Sequence, residues 1–243
     1  NHFGRINYIA NSDVRQKYLA NGDYTYYDSD AHKLDGSAFV KAAYHLTEQW
    51  DVFGDIQYRH VGYKTDGYND KFYEEDSHFH NQYLDIDKKY DFLNPKAGFS
   101  WTMSGHRVYG SVAMSHREPE RNNYTDNGSY PAPSAESLMD YEVGYTFNND
   151  FFRAGVNLYY MDYKDQFVQT GLLSDIGENL TTNIKDSYRL GIELQAGIDI
   201  TPWLTLEGNA ALSQNKIKNF DEVVEDWDKL RSEERRVGKE CRS

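Results

Sequence analysis

The stretch DSYRLGIELQAGIDITPWLTLEGNAALSQNKI at residues 186–217 decides how this chain is read. Leu190, Ile192, Leu194, Ala196, Ile198 and Ile200 fall on one side of an extended backbone. Gly191, Glu193, Gln195, Gly197 and Asp199 fall on the other. Past Thr201 and Pro202, Leu204, Leu206, Gly208, Ala210 and Leu212 alternate with Thr205, Glu207, Asn209, Ala211 and Ser213. A period of two gives a strand one apolar and one polar face. Two such runs joined by a very short turn read as an antiparallel hairpin.

Three more pairs repeat the pattern. Residues 36–47 turn near Glu48 into 49–62. Residues 91–103 pass through Ser104, Gly105 and His106 into 107–117, and 138–148 turn at Asn149 and Asp150 into 151–165. Tyr141, Val143, Tyr145 and Phe147 oppose Asp140, Glu142, Gly144 and Thr146. Leu93, Pro95, Ala97, Phe99 and Trp101 oppose Asn94, Lys96, Gly98 and Ser100. A soluble antiparallel sheet carries the same code, so alternation alone admits both a sandwich and a barrel. Length separates them: runs of about 11–15 residues exceed the ~5–6 usual in soluble domains and suit a tilted membrane-crossing strand. The connections separate them too. Every short turn falls at one end, while 63–90, 118–137 and 166–185 are long and polar. That rhythm is expected of an outer-membrane β-barrel, with short periplasmic turns and long extracellular loops.

Aromatic residues cluster at the strand ends. Trp50, Phe151, Phe152 and Trp203 sit by the short turns; Tyr63, Tyr90, Phe92, Tyr163 and Phe167 sit toward the long loops. Rings of this kind favour the headgroup level and predict a girdle at each interface. Lys41, Asp55, Gln57, Arg59, Lys96, Glu142, Arg153, Asn157, Glu193 and Glu207 are assigned to the wet face, because Arg or Lys at mid-membrane costs roughly 2–4 kcal/mol.

The net charge of −13 disfavours nucleic acid as a partner. No run of apolar residues is long enough for a membrane-spanning helix, and low mean hydropathy is compatible with a barrel that shows lipid only alternate residues. Catalysis has no visible constellation: there is no nucleophile elbow, phosphate loop, cysteine–histidine pair or helix-borne zinc motif. Both ends read as interrupted. Asn1 is not a start methionine, and RSEERRVGKECRS at 231–243 reads as a translated sequencing adapter. The expected organisation is therefore a partial barrel over 1–230 and a non-native tail over 231–243. The tail holds Cys241, the only cysteine.

Several motifs carry a family resemblance. NPKAGFSW (94–101), SVAMSHREPERNNYTD (111–126), ESLMDYEVGYTF (136–147), NLYYMDYKDQFV (157–168) and NIKDSYRLGIEL (183–194) occur in this order. Each is weak alone; together they resemble the C-terminal half of the TonB-dependent outer-membrane receptors. Asn123 stands where the family's REPxRxDY-like element has Asp. The resemblance implies an all-β, antiparallel transmembrane barrel of 22 strands, of which about nine would be present, counting one near residues 2–10. It also implies a bacterial outer-membrane location and contact with outer-membrane lipid. The family's task is energy-coupled uptake of a scarce nutrient, here most readily a ferric siderophore or other iron complex, with haem or cobalamin as other ligand classes. A TonB-type periplasmic partner would engage an N-terminal region. A passive porin and a secreted carbohydrate-binding β-sandwich are the alternative readings.

Candidate ligand contacts lie beyond the strand ends. Arg117 and Arg121 could fork onto carboxylate or catecholate oxygens, beside Glu118, Tyr124 and Tyr130. An internal Arg–Glu pair that fixes the loop explains the same residues. His78 and His80, in an acidic stretch, offer imidazole to a metal-bearing ligand or simply decorate a solvated loop. No fixed metal or cofactor is expected.

Overall fold

The computed structural model describes residues 28–75, 78–125, 132–173, 179–218, 222–224 and 235–237. The strands are β1 (Asp28–His45), β2 (Trp50–Glu75), β3 (His78–Met103), β4 (His106–Arg117), β5 (Glu136–Asn148), β6 (Phe152–Leu173), β7 (Asn179–Thr201) and β8 (Leu204–Ile217), with a short helix α1 (Arg121–Thr125) between β4 and β5. All eight strands join one sheet in sequence order, and the ladders from β3 to β8 are antiparallel. Two three-residue strands, β9 (Glu222–Val224) and β10 (Arg235–Val237), pair separately. β10 lies within the 231–243 string. The expected strand near residues 2–10 lies outside the described residues.

Contacts divide the chain into two compact units, one of Asn1–Ser37 with Arg59–Asp91 and one of Ala38–Tyr58 with Phe92–Ser243. In the first, Arg59 forks onto Asp35 through Nε and Nη2 at 3.0 and 2.6 Å, and His60 pairs with Asp91 at 2.7 Å. Asn69 donates to Gln82 at 2.9 Å and Tyr83 donates to Asp66 at 3.1 Å. The Asp66 carboxylate beside it raises the Tyr83 hydroxyl above the usual tyrosine range. Val61 and Leu84 are buried here.

In the second unit the ladders bring the alternating residues into continuous rows. Directly opposed residues share a face, so Phe99, Gly110, Val143, Leu158, Ile192 and Leu212 form one row. Trp101, Val108, Tyr145, Val156, Leu194 and Ala210 form the next. The row toward the short turns is Met103, His106, Phe147, Ala154, Ala196 and Gly208; the row away from them is Ala97, Val112, Tyr141, Tyr160, Leu190 and Gln214. None of these four rows carries an acidic or lysine/arginine side chain. Leu158 is 47 % and Leu212 70 % exposed. A sandwich would cover such a face with a second sheet. Among the described residues nothing covers this face, which suits lipid contact. From Phe152 to Tyr160 it spans about 26 Å along β6, close to the height of a barrel's apolar band.

The tight turns have local causes. Ser104 and Gly105 both adopt positive φ (49° and 84°), the pattern of a two-residue hairpin whose twist matches the strands. A Cβ at Gly105 would lie 2.2 Å from the Asn148 carbonyl oxygen. Asn149 Oδ1 accepts from the amides of Phe151 and Phe152 at 3.1 and 2.7 Å. Thr47 Oγ1 does the same for Gln49 and Trp50, at 3.1 Å each.

Two expectations need correction. The long connections are only partly loops: β2 and β3 each run 26 residues, and β6 and β7 run 22 and 23. These extensions have polar residues on both faces, so the alternation that marks a lipid-facing strand disappears although the ladder continues. The girdle is also built differently at the long-loop end. Tyr163 lies on the polar face, 8 % exposed, with the Arg189 guanidinium 5.9 Å from its ring. Phe92 is buried against His116, ring centroids 5.2 Å apart. The ring cluster on the apolar face at that level is Tyr141, Tyr160 and Tyr188, with centroids 6.2 and 5.9 Å apart. By the short turns, His106 lies tilted against Phe147 at 4.8 Å and bonds Tyr145 Oη at 2.7 Å, and Trp50 meets Phe99 at 5.8 Å.

On the polar face Tyr109 lies across Gly144 to donate to Asn157 Oδ1 at 3.2 Å, and Asn157 donates on to Glu193 at 3.4 Å. A Cβ at Gly144 would stand 2.1 Å from Tyr109 Cζ. Gly144→Ala is expected to destabilise the membrane-inserted protein by about 1–3 kcal/mol, and Tyr109→Ala to remove most of that penalty in the double variant. Denaturant unfolding measures both. The face assignment is tested on neighbouring alanines. Ala210, opposite Leu194, should lose about 2–4 kcal/mol on change to Arg. Ala211, opposite Glu193, should change by less than about 0.5 kcal/mol.

Candidate functional site

Beyond the tyrosine cluster, β4, α1 and the start of β5 meet the extended hairpin of β6 and β7. Arg117 ends β4 opposite Glu136, the first residue of β5. Arg117 Nη2 donates to Glu136 Oε2 at 3.1 Å, and that oxygen also accepts the Phe167 amide at 2.9 Å. The guanidinium lies over the Phe167 ring, 5.2 Å from its centroid. Glu136 is largely buried (13 % of its side chain exposed) while Arg117 is half-exposed at 52 %. One carboxylate therefore ties together the end of β4, the start of β5 and β6.

Asn123 and Asn183 complete the clamp. Asn123 Oδ1 accepts the Glu120 amide at 2.6 Å, and its Nδ2 donates to Thr181 Oγ1 at 2.6 Å, which fastens α1 to β7. Asn183 Nδ2 donates to the carbonyls of Ser134 and Asp165 at 3.0 and 2.7 Å, and its Oδ1 accepts the Ser134 amide at 2.9 Å. Asp165 has a φ of 52°, so Asn183 also caps a kink in β6. Outside the apolar band, Lys164 pairs with Asp186. The pairing raises the Lys164 ammonium above, and holds the Asp186 carboxyl below, their usual ranges.

The predicted ligand residues separate under this geometry. Arg117 is engaged by Glu136, not by Glu118, which is itself 8 % exposed. Arg121 opens α1 with an exposed side chain, and Tyr124 is half-buried. Tyr130 lies outside the described residues. His78 and His80 are in β3, but their side chains lie outside the described set. Among the described residues no group of three or more His, Cys, Asp or Glu is placed to hold a metal. Sequence reasoning missed Glu136, Phe167, Thr181 and Asn183 as rim contacts. Glu136 and Asn183 open two of the quoted motifs, ESLMDYEVGYTF and NIKDSYRLGIEL, and that position was the available signal.

The wet face carries a second polar group. Arg153 Nη2 and Nε donate to Glu207 Oε1 at 2.7 and 3.1 Å, with Asp199 at 3.5 Å. Shallow clefts of about 420 and 340 Å³ run beside it, the first lined by Tyr109, Asn157, Glu193, Gln195 and Asn209, the second by Arg153, Gln195, Glu207 and Asn209.

The family described as TonB dependent receptor-like, beta-barrel matches residues 1–235. No curated protein matches the sequence. Among solved structures, a copper transporter, OprC, superposes with a TM-score of 0.62 at 17 % identity, over 77 % of this chain and 30 % of its own. The ferric yersiniabactin uptake receptor FyuA from Yersinia pestis gives 0.59 at 17 %, over 80 % of this chain and 29 % of its own. The siderophore receptor PiuA from Acinetobacter baumannii gives 0.60 at 16 %, over 80 % and 27 %. The chain thus spans about three-tenths of the length of these structures. At such identities the likeness is one of fold.

The clamp gives a local test. Asn183→Ala removes three hydrogen bonds worth about 1 kcal/mol each, so the 118–135 segment should open more often. Trypsin cleavage after Arg121 should accelerate by roughly tenfold or more; an unchanged rate would mean the asparagine holds nothing.

Proposed function

This chain belongs to the TonB-dependent receptor-like β-barrel family, and we propose on that premise that it serves energy-coupled uptake of a scarce nutrient across the bacterial outer membrane. The observation that carries the reading is the family match along 235 residues. The bare apolar face supports lipid contact, and the wet face supports a water-filled or protein-filled interior.

The proposed cargo is a ferric siderophore or another iron complex. Structures of the same fold include an iron transporter from Neisseria meningitidis, a ferric yersiniabactin uptake receptor and a siderophore receptor, and a copper transporter keeps a different metal complex in view. Arg121 is the stronger ligand contact of the two arginines: its head is exposed, whereas Arg117 is held by Glu136 and Phe167. Tyr124 and Tyr130 would add ring or hydroxyl contacts, Glu118 would shape the segment, and His78 and His80 would touch the metal-bearing part of the ligand in passing. Coupling would run through a TonB-type periplasmic partner and a region of the whole receptor. Residues 231–243 stay outside this reading as an adapter-derived tail, which resequencing the locus checks.

Uptake of radiolabelled ferric complexes by iron-starved cells carrying the receptor is the direct measurement. Uptake that requires the energised inner membrane supports the proposal; passive, energy-independent entry would identify a porin instead. Arg121→Ala should weaken ligand binding by about 1.5–3 kcal/mol if it contacts an anionic ligand oxygen, while Lys89→Ala should not.

A further inference from the structure

The apolar face does not fade out; its chemistry changes within two rows. Above Tyr141 and Tyr160 the next row contains Asp162, Tyr188 and Lys216. The row after that contains His116, Ser137, Lys164 and Asp186. Lys218 reaches the same level, its amide donating to the Asp186 carbonyl at 3.2 Å. Three lysines therefore face two aspartates on the lipid side of a chain whose net charge is −13. Asp186 is taken by Lys164. The Lys216 and Lys218 side chains are exposed. Below them, the same face of β6, β7 and β8 carries Leu158, Leu190, Ile192 and Leu212.

We infer that the β6–β8 end of the apolar face binds an anionic, phosphate-bearing lipid, with its phosphate on Lys216 and Lys218 and an acyl chain along Leu190, Ile192 and Leu212. The vertical order fits such a molecule. Tyrosine rings mark the headgroup level, and the ammonium groups lie one to two rows above, about 7–13 Å along the strands. Long lysine stems can lie on the apolar surface while their heads reach the phosphate. Asp162 shares the row of Lys216 and also acts on the Lys164 ammonium, and it limits the patch to a modest preference. The inference deepens the proposed membrane placement and depends on it.

The test uses the full receptor in phosphatidylcholine nanodiscs containing spin-labelled phosphatidylglycerol or spin-labelled phosphatidylcholine. The motionally restricted fraction of each label is read by electron spin resonance. The expected result is several-fold enrichment of phosphatidylglycerol over phosphatidylcholine at low salt. The double variant Lys216→Gln/Lys218→Gln should lose most of that enrichment, and Lys89→Gln should keep it. Equal restriction of both lipids by the unsubstituted receptor would overturn the inference while leaving lipid contact intact. Displacement of the lipid by millimolar inorganic phosphate would also overturn it, in favour of a soluble-anion site. No restricted fraction for either lipid would remove the membrane placement itself.

Discussion

Hydrocarbon offers the backbone no hydrogen-bond partner, so every amide and carbonyl of a crossing strand must be satisfied by the strand beside it. The sheet here is organised by that constraint. It keeps the ladders from β3 to β8 in register over the apolar band, and register makes alternation meaningful. A one-residue slip would exchange the two faces of a strand. Leu194 would then leave the lipid side and Glu193 would enter it. The tight turns at Ser104–Gly105 and Asn149 serve the same end, because a hairpin's register is set where the chain reverses.

The polar face solves a different problem. It must stay folded while wet, with few apolar contacts to hold its side chains. It does so by crossing strands: Tyr109 passes over Gly144 to reach Asn157, and Arg153 lies beside Gly197 to reach Glu207 and Asp199. Small residues on one strand make room for long side chains from the next. The glycines in these runs thus belong to the side-chain network as much as to the backbone.

Above the tyrosines the strands continue but the membrane's demand on their faces ends. Stability there comes from individual polar contacts, and the clamp built on Glu136, Asn123 and Asn183 is the clearest case. It restrains Arg117 and leaves Arg121 presented on a short helix. Arg121 is thereby held at the rim without being buried.

The sequence by itself determined the strands inside the membrane, their faces, the four short turns and the family, because lipid imposes a period-two code that each strand must write into its own residues. Residues 190–200 and 204–212 are legible for that reason alone. It also marked Arg117 and Glu118 as a loop-fixing group, but with the wrong acid. Only the tertiary structure decided that Arg117 pairs with Glu136, that Tyr163 turns away from the lipid, and that β2, β3, β6 and β7 run far into stretches that read as loops. Those outcomes depend on which residues from distant parts of the chain are brought side by side. Once both faces of a strand are wet, no local periodicity records its neighbours.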